Sequence, residues 1–115
     1  MEQNKTLTSI GLCKRAGKLL IGSENTEHSV RRGKSKLVIV ASDVSENTRD
    51  KYERLSEETE KTIIIFTDIK MTELASAVGQ SGILGVVSTE DAGFAKMLSA
   101  KLLKDSNNGG KNHAG

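Results

Sequence analysis

The fold follows from residues 22–43, which read GSENTEHSVRRGKSKLVIVASD. The polar half of this stretch predicts a helix from about Glu24 to Arg32, because Gly33 provides a helix stop. The second half predicts a strand from Lys36 to Ala41 whose residues after Lys36 are all apolar. A strand without a polar side is covered on both faces, so helices are expected on both sides of the sheet.

The same alternation of helix and strand continues along the chain. We predict further helices at about residues 5–16, 46–56, 72–78 and 89–103, and further strands at 19–21, 62–66 and 84–87. Gly17 and Gly79 end helices in this prediction, and Ser45 and Ser88 cap the helices that follow them. The pattern predicts an α/β fold, a three-layer α/β/α sandwich with a small mixed central sheet.

Length and composition predict one domain. A chain of 115 residues can bury a core without disulfides. No internal repeat or linker divides the sequence, and residues 105–115 are polar and glycine-rich. We therefore predict a single domain over residues 1–104 and a disordered tail over residues 105–115.

Cysteine usage and hydropathy predict an intracellular protein. Cys13 is the single cysteine, so no internal disulfide can form, and no Cys or His cluster has the spacing of a zinc site. No apolar run reaches the length of a membrane span, and the N-terminus lacks a signal-peptide core. We expect a cytoplasmic protein with no metal and no membrane partner, and with Cys13 packed in the core.

Catalytic motifs are missing from the sequence. It has no G-x-S-x-G elbow, no G-x-x-x-x-G-K-[ST] phosphate loop and no G-x-G-x-x-G fingerprint. Cys13 and His28 are isolated, and Asp43 lacks the acidic pair that magnesium-dependent phosphorylation requires. The chain is therefore predicted to be a non-catalytic binding protein without a cofactor. A small-molecule or nucleotide sensor is an alternative that rests on fold analogy alone.

Charge is unevenly distributed, although the net charge is only +2. Between residues 14 and 36 seven bases stand against two acids, Glu24 and Glu27, whereas residues 46–61 carry more acids than bases. A basic end raises the local concentration of anions even at low net charge. The helix start at Glu24 adds free backbone N–H groups, which favour phosphate. The alternative interpretation is an ordinary surface helix with a solvated basic end.

Four features share an order and spacing across nearly the whole ordered chain. They are Gly22, the Arg32-Gly33 turn, the strand KLVIVASD at residues 36–43 and ELASAVG at residues 73–79. In these features the chain resembles the kink-turn-binding ribosomal-protein superfamily, most closely its short bacterial members of the YlxQ type. The resemblance implies an α/β/α sandwich that binds RNA without cofactor or catalysis. It places the site at the start of the second helix and in the loop before the last strand.

The chemistry of bent RNA assigns roles to these two segments. Side chains at a rigid helix start can read purine edges, basic residues can hold the backbone, and small loop residues allow close approach. The predicted base readers are Glu24, Asn25 and His28, the predicted backbone contacts are Gly22, Ser23, Arg31, Arg32 and Lys34, and the predicted loop contacts are Val78, Gly79, Gln80, Ser81 and Gly82.

The helix start departs from the G-x-N-E-x-T-K pattern that is typical of kink-turn binders. Glu24-Asn25 stands in place of Asn-Glu, Glu27 in place of the threonine and His28 in place of the lysine. We expect a structured RNA partner, ribosomal or another non-coding RNA, with a kink-turn-like or other bent, purine-rich motif and a link to the ribosome or translation. No DNA partner is expected. The alternative is a protein-interaction module that keeps the fold without specific RNA recognition.

Overall fold

Five helices and four strands alternate through residues 2–110, the backbone that the computed structural model describes, with side chains described for residues 5–105. The helices are α1 (Glu2–Arg15), α2 (Ser23–Arg31), α3 (Glu46–Glu58), α4 (Met71–Ala77) and α5 (Ala92–Gly110). The strands are β1 (Leu20–Ile21), β2 (Leu37–Val40), β3 (Ile63–Phe66) and β4 (Val86–Thr89).

The four strands form one mixed sheet in the order β1-β4-β2-β3. β4 runs antiparallel to β1 and β2. β2 and β3 run parallel, with Leu37 opposite Ile63 and Val40 opposite Phe66. β3 is an edge strand, paired on one side only within residues 2–110. The predicted small mixed sheet is confirmed.

β2 is buried along its whole length, and its side chains alternate between two hydrophobic clusters. Leu37 and Ile39 pack with residues of α1, α4 and α5 on one face of the sheet. Val38 and Val40 pack with residues of α2 and α3 on the other face. Because both faces are covered, the strand has no polar side. The predicted three-layer α/β/α sandwich is therefore confirmed.

Cys13 lies in the cluster formed with α1, α4 and α5, and its side chain is fully buried. Burial raises the pKa of its thiol above the ordinary value of 9.0. The thiolate that nucleophilic chemistry needs is therefore disfavoured. The prediction that Cys13 is a core residue is confirmed.

One of the two predicted serine caps is confirmed and the other is wrong. Ser45 Oγ accepts a hydrogen bond from the Thr48 N–H at 3.1 Å and caps α3. Ser88 lies inside β4, where its hydroxyl accepts from Thr26 Oγ1 at 3.1 Å. Asp91 caps α5 instead, accepting from the Phe94 N–H at 2.8 Å. The strand begins later than predicted because Leu84, although apolar and buried, belongs to the preceding loop.

The last helix extends beyond the predicted end of the domain. α5 continues past Lys104 to Gly110, whereas the sequence predicts a disordered tail from residue 105. Thr6 Oγ1 donates to Asp105 Oδ2 at 2.8 Å, so contact with α1 supports the helix beyond Lys104. Residues 111–115 of the predicted tail, like Met1, lie outside the described residues.

Replacing Gly11 by Ala should destabilise the protein, because α1 and α4 approach each other closely at this residue. A Cβ at Gly11 would lie 2.8 Å from the backbone oxygen of Ala77. In an isolated helix the change is favourable by about 1 kcal/mol, but here we expect a net loss of about 1–3 kcal/mol from overpacking. Urea denaturation measures the loss. Lys14→Ala, at an exposed position of α1, should change the free energy of unfolding by less than about 0.5 kcal/mol. Equal losses in both variants would contradict the close approach.

Candidate nucleic-acid interface

The start of α2 is fixed to the first residue of β4. Gly22 caps α2 with φ 96° and ψ 159°, a conformation that only glycine adopts without strain. Its N–H donates to the Val86 carbonyl at 2.9 Å. Residues 79–85 run directly into Val86, so the end of this loop is joined through Val86 to the helix start. The two segments that the sequence predicts as one site are thus connected through the first residue of β4.

The loop leaves α4 through a tight helix end at Gly79. The Gly79 N–H donates to the Ser76 carbonyl at 3.0 Å and the Gln80 N–H to the Ala75 carbonyl at 2.9 Å. Gly79 has φ 81°, the left-handed conformation that this helix ending requires. Residues 79–83 are all exposed. The predicted contacts Gly79, Gln80, Ser81 and Gly82 are therefore accessible.

Two apolar residues of this region differ from the prediction. Val78 is only 8% exposed and packs in the core, so its side chain is not available to a partner, and its inclusion in the site is corrected. Ile83, which the sequence analysis left out, is 63% exposed. Its place directly after the polar and glycine-rich residues 79–82 was the sequence signal for such an exposed tip.

Tyr52 on α3 anchors the first turn of α2. Its hydroxyl donates to the Ser23 carbonyl at 3.0 Å and lies 2.9 Å from Ser23 Oγ. The side chain is fully buried, and burial raises the pKa of the phenol above 10.0. Ser23 is thus half-buried and engaged with the protein, so its hydroxyl is less accessible than the site prediction assumes.

Glu24 and Asn25, the predicted base readers at the helix start, differ in whether the protein holds the side chain by a hydrogen bond. Asn25 is exposed, and its Nδ2 donates to the Ile21 carbonyl at 3.0 Å, which orients the carboxamide. Glu24 is exposed and has no side-chain hydrogen bond or ion pair with another residue of 5–105. Both side chains keep an oxygen that can accept from a base amino group.

Glu27 binds two bases on the same side of the protein. Its carboxylate lies 2.9 Å from Arg31 Nη2 and 3.2 Å from Lys51 Nζ. These hydrogen bonds, with Arg31 the larger contributor, lower the pKa of Glu27 below its ordinary value of 4.5. The predicted phosphate contact Arg31 is therefore partly neutralised within the protein.

Arg32 and Lys34, the other predicted basic contacts, lie at the C-terminal end of α2. Arg32 Nη1 is 3.4 Å from His28 Nε2, and both side chains are exposed, as is Lys34. α2 has nine residues between its caps Gly22 and Arg32, so Arg32 lies roughly 15 Å from Gly22 along the helix axis. Lys34 follows in the turn after the helix. The predicted site thus divides into a polar group beside the loop and a basic group at the opposite end of α2.

The sequence of the chain matches a known family over most of its length. Residues 4–99 match the model of the ribosomal protein L7Ae/L30e/S12e/Gadd45 family. The chain belongs to this family. The resemblance inferred from Gly22, the Arg32-Gly33 turn and the segments 36–43 and 73–79 is confirmed.

Relatives in this family include bacterial and yeast proteins. RNA-binding protein YlxQ of Enterococcus faecium is 37% identical over 95 residues, which cover 82% of the present chain and 87% of the relative. Large ribosomal subunit protein eL30 of Candida glabrata is 35% identical over 94 residues, which cover 79% and 86%. A solved structure of a protein of unknown function from Bacillus halodurans C has a TM-score of 0.73 at 29% identity, covering 85% of the present chain and 96% of that chain.

Two further features of the described residues bear on function. Within residues 2–110, no helix combines the length and hydropathy needed to cross a bilayer. Among the side chains of residues 5–105, no group of three or more His, Cys, Asp or Glu residues is placed to hold a metal ion.

Tyr52→Phe should destabilise the protein by about 1–2 kcal/mol, because the Ser23 carbonyl and hydroxyl lose their buried partner. Urea denaturation gives the change in the free energy of unfolding. Hydrogen exchange should quicken at the amides of the first turn of α2 and remain slow in β2. Uniformly faster exchange would show that Tyr52 supports the whole fold and not the helix start.

Glu27→Gln should lower stability at pH 7 by less than about 1 kcal/mol, because the ion pairs are largely exposed to solvent. The folded-state pKa of Glu27 is below its unfolded value, so its contribution is present above pH 4.5 and disappears as the pH falls through the folded-state pKa. Thermal denaturation between pH 7 and pH 3 should show the two proteins converging. Glu24→Gln is the matched control and should show no such convergence.

Proposed function

We propose that the chain binds structured RNA, without catalysis, through a surface made by residues 22–25 and 79–83, called here the α2–loop surface. The single observation that carries this proposal is the hydrogen bond from Gly22 to Val86, which ties the helix start to the strand that residues 79–85 lead into. Membership of the ribosomal protein family supports it, as do relatives whose names describe RNA-binding and ribosomal proteins.

The α2–loop surface offers groups suited to bases that have left a helical stack. Glu24 and Asn25 present acceptor oxygens toward the amino groups of purines. Ile83 offers an apolar side chain against which an unstacked base can pack, and the glycines beside it let the RNA backbone approach closely. Such bases occur in bent or internally looped RNA and not in a straight duplex.

The basic group at the other end of α2 holds the RNA backbone. Arg32 and Lys34 are exposed and have no ion pair with another residue of 5–105. Phosphates about one helix length away from the bases at Gly22 would meet these side chains. Base readout and phosphate contact are therefore divided between the two ends of α2.

The RNA target is a kink-turn-like or another bent, purine-rich motif in ribosomal or other non-coding RNA. The exchanged positions of Glu24 and Asn25, and Glu27 and His28 in place of Thr and Lys, favour a motif that differs in detail from the standard kink-turn. The ribosomal relatives support a role in translation in the cytoplasm. The family gives no support to catalysis or to a cofactor.

Fluorescence titration with a kink-turn RNA, an internal-loop RNA and a straight duplex of equal length tests this function. We expect at least tenfold preference for one of the bent RNAs, and a log–log slope of affinity against salt of roughly −0.7 to −0.9 per phosphate contacted. Equal affinity for all three RNAs would refute structure-specific recognition. No binding of any of them would favour the protein-interaction module.

Ile83→Ala tests whether this binding uses the loop. It should weaken binding to the preferred bent RNA about tenfold, because the apolar contact is worth roughly 0.8 kcal/mol per buried methylene, and should leave duplex binding unchanged. Leu103→Ala is the matched control, since Leu103 is 51% exposed on α5, in the other helix layer. An equal effect of both substitutions would exclude the loop as the contact.

A further inference from the structure

A second basic surface lies on the α1/α4/α5 side of the sheet. The N-terminal part of α1 and the C-terminal part of α5 line a groove of about 220 Å³ that contains Lys5, Thr6, Ala100, Lys101 and Lys104. Lys5 and Lys104 are exposed and Lys101 is half-buried. The sequence analysis gave no role to these three lysines, because Lys5 is far from Lys101 and Lys104 in the chain.

The walls of this groove are held in place by the core. Thr6 is fully buried, and its hydroxyl donates to Asp105 Oδ2 at 2.8 Å, which connects the two helices. Leu102 is 4% exposed and packs in the same cluster as Ile10 of α1. Lys101 and Lys104 are three residues apart on α5, so they extend from the same side of the helix. The three lysines are thus held around one groove by fixed backbones.

The positive charge of the groove is available to a ligand. Lys5, Lys101 and Lys104 form no ion pair with another residue of 5–105. This differs from Arg31 and Lys51 on the other side of the sheet, which both pair with Glu27. The carboxylate nearest to Lys101 along the helix, Asp105, accepts the hydrogen bond from Thr6.

We propose that this α1–α5 groove binds the phosphate backbone of a second RNA segment, so that the protein bridges two parts of an RNA or two RNAs. The proposal rests on the function proposed for the α2–loop surface. Lysine ammonium groups act as point charges, which suits phosphate contact without base readout. The sheet separates the groove from α2, and the molecule measures 37 × 30 × 28 Å. One short hairpin seated on α2 therefore leaves the groove free for another segment.

The test uses the triple variant Lys5→Ala/Lys101→Ala/Lys104→Ala of the full chain. Its matched control is Lys14→Ala/Arg54→Ala/Lys96→Ala, which removes the same charge from other exposed positions. Both are titrated with a fluorescent 20-base-pair RNA duplex of arbitrary sequence. Relative to the control, we expect the groove variant to bind the duplex at least tenfold more weakly. Its log–log salt slope should be smaller by about 2–3, for three lost phosphate contacts.

Bridging is measured by capture of the duplex on an immobilised bent RNA. Wild type and control variant should capture it, whereas the groove variant should bind the immobilised RNA and capture none. Equal duplex affinities for the groove and control variants would overturn the proposal. Loss of binding to phosphatidylserine vesicles by the groove variant, with its RNA binding unchanged, would also overturn the proposal, because the groove would then be a lipid contact. Failure of the immobilised RNA to retain the wild type would refute the α2–loop proposal instead, while direct duplex titration still tests the groove.

Discussion

The complete burial of β2 is the constraint on which the rest of the structure depends. Burying a Val, Leu or Ile side chain stabilises a protein by about 1.5–3 kcal/mol, and Leu37 to Val40 are all buried. Successive residues of a strand face opposite sides, so this gain requires both helix layers at once. Removal of either layer would expose half of the strand. The position of α2, and with it the α2–loop surface, thus depends on the packing of α2 against β2.

The start of α2 is held by hydrogen bonds from three elements of the fold. Gly22 is bonded to Val86 of β4, Ser23 to Tyr52 of α3, and the Asn25 side chain to Ile21 of β1. A partner therefore meets a backbone that is already ordered. Binding to a preorganised surface loses less conformational entropy than binding to a flexible loop.

The fold was largely predictable, because continuous apolar strands and helix-stop glycines are local signals. The position of β4 was not, because Leu84 has the composition of a strand residue but is buried from a loop. The same limit applies to the candidate site. The two segments proposed for it follow from the sequence pattern, but the burial of Val78 depends on how α4 packs. The ion pair of Arg31 with Glu27 has i,i+4 spacing within α2, but the second contact of Arg31, with Glu58, depends on how α3 packs beside α2.

The edge position of β3 has a consequence for how the protein behaves at high concentration. Ile63 to Phe66 is an uninterrupted apolar segment, and Ile63 is 52% exposed. Edges of this composition can pair with an identical strand from another molecule and start aggregation. The strand has only four residues. A charged residue, Lys61, precedes it and another, Asp68, follows it. Short length and flanking charge are the usual protections against such pairing. The solubility of the protein is therefore most sensitive to substitutions that lengthen this strand or neutralise its ends.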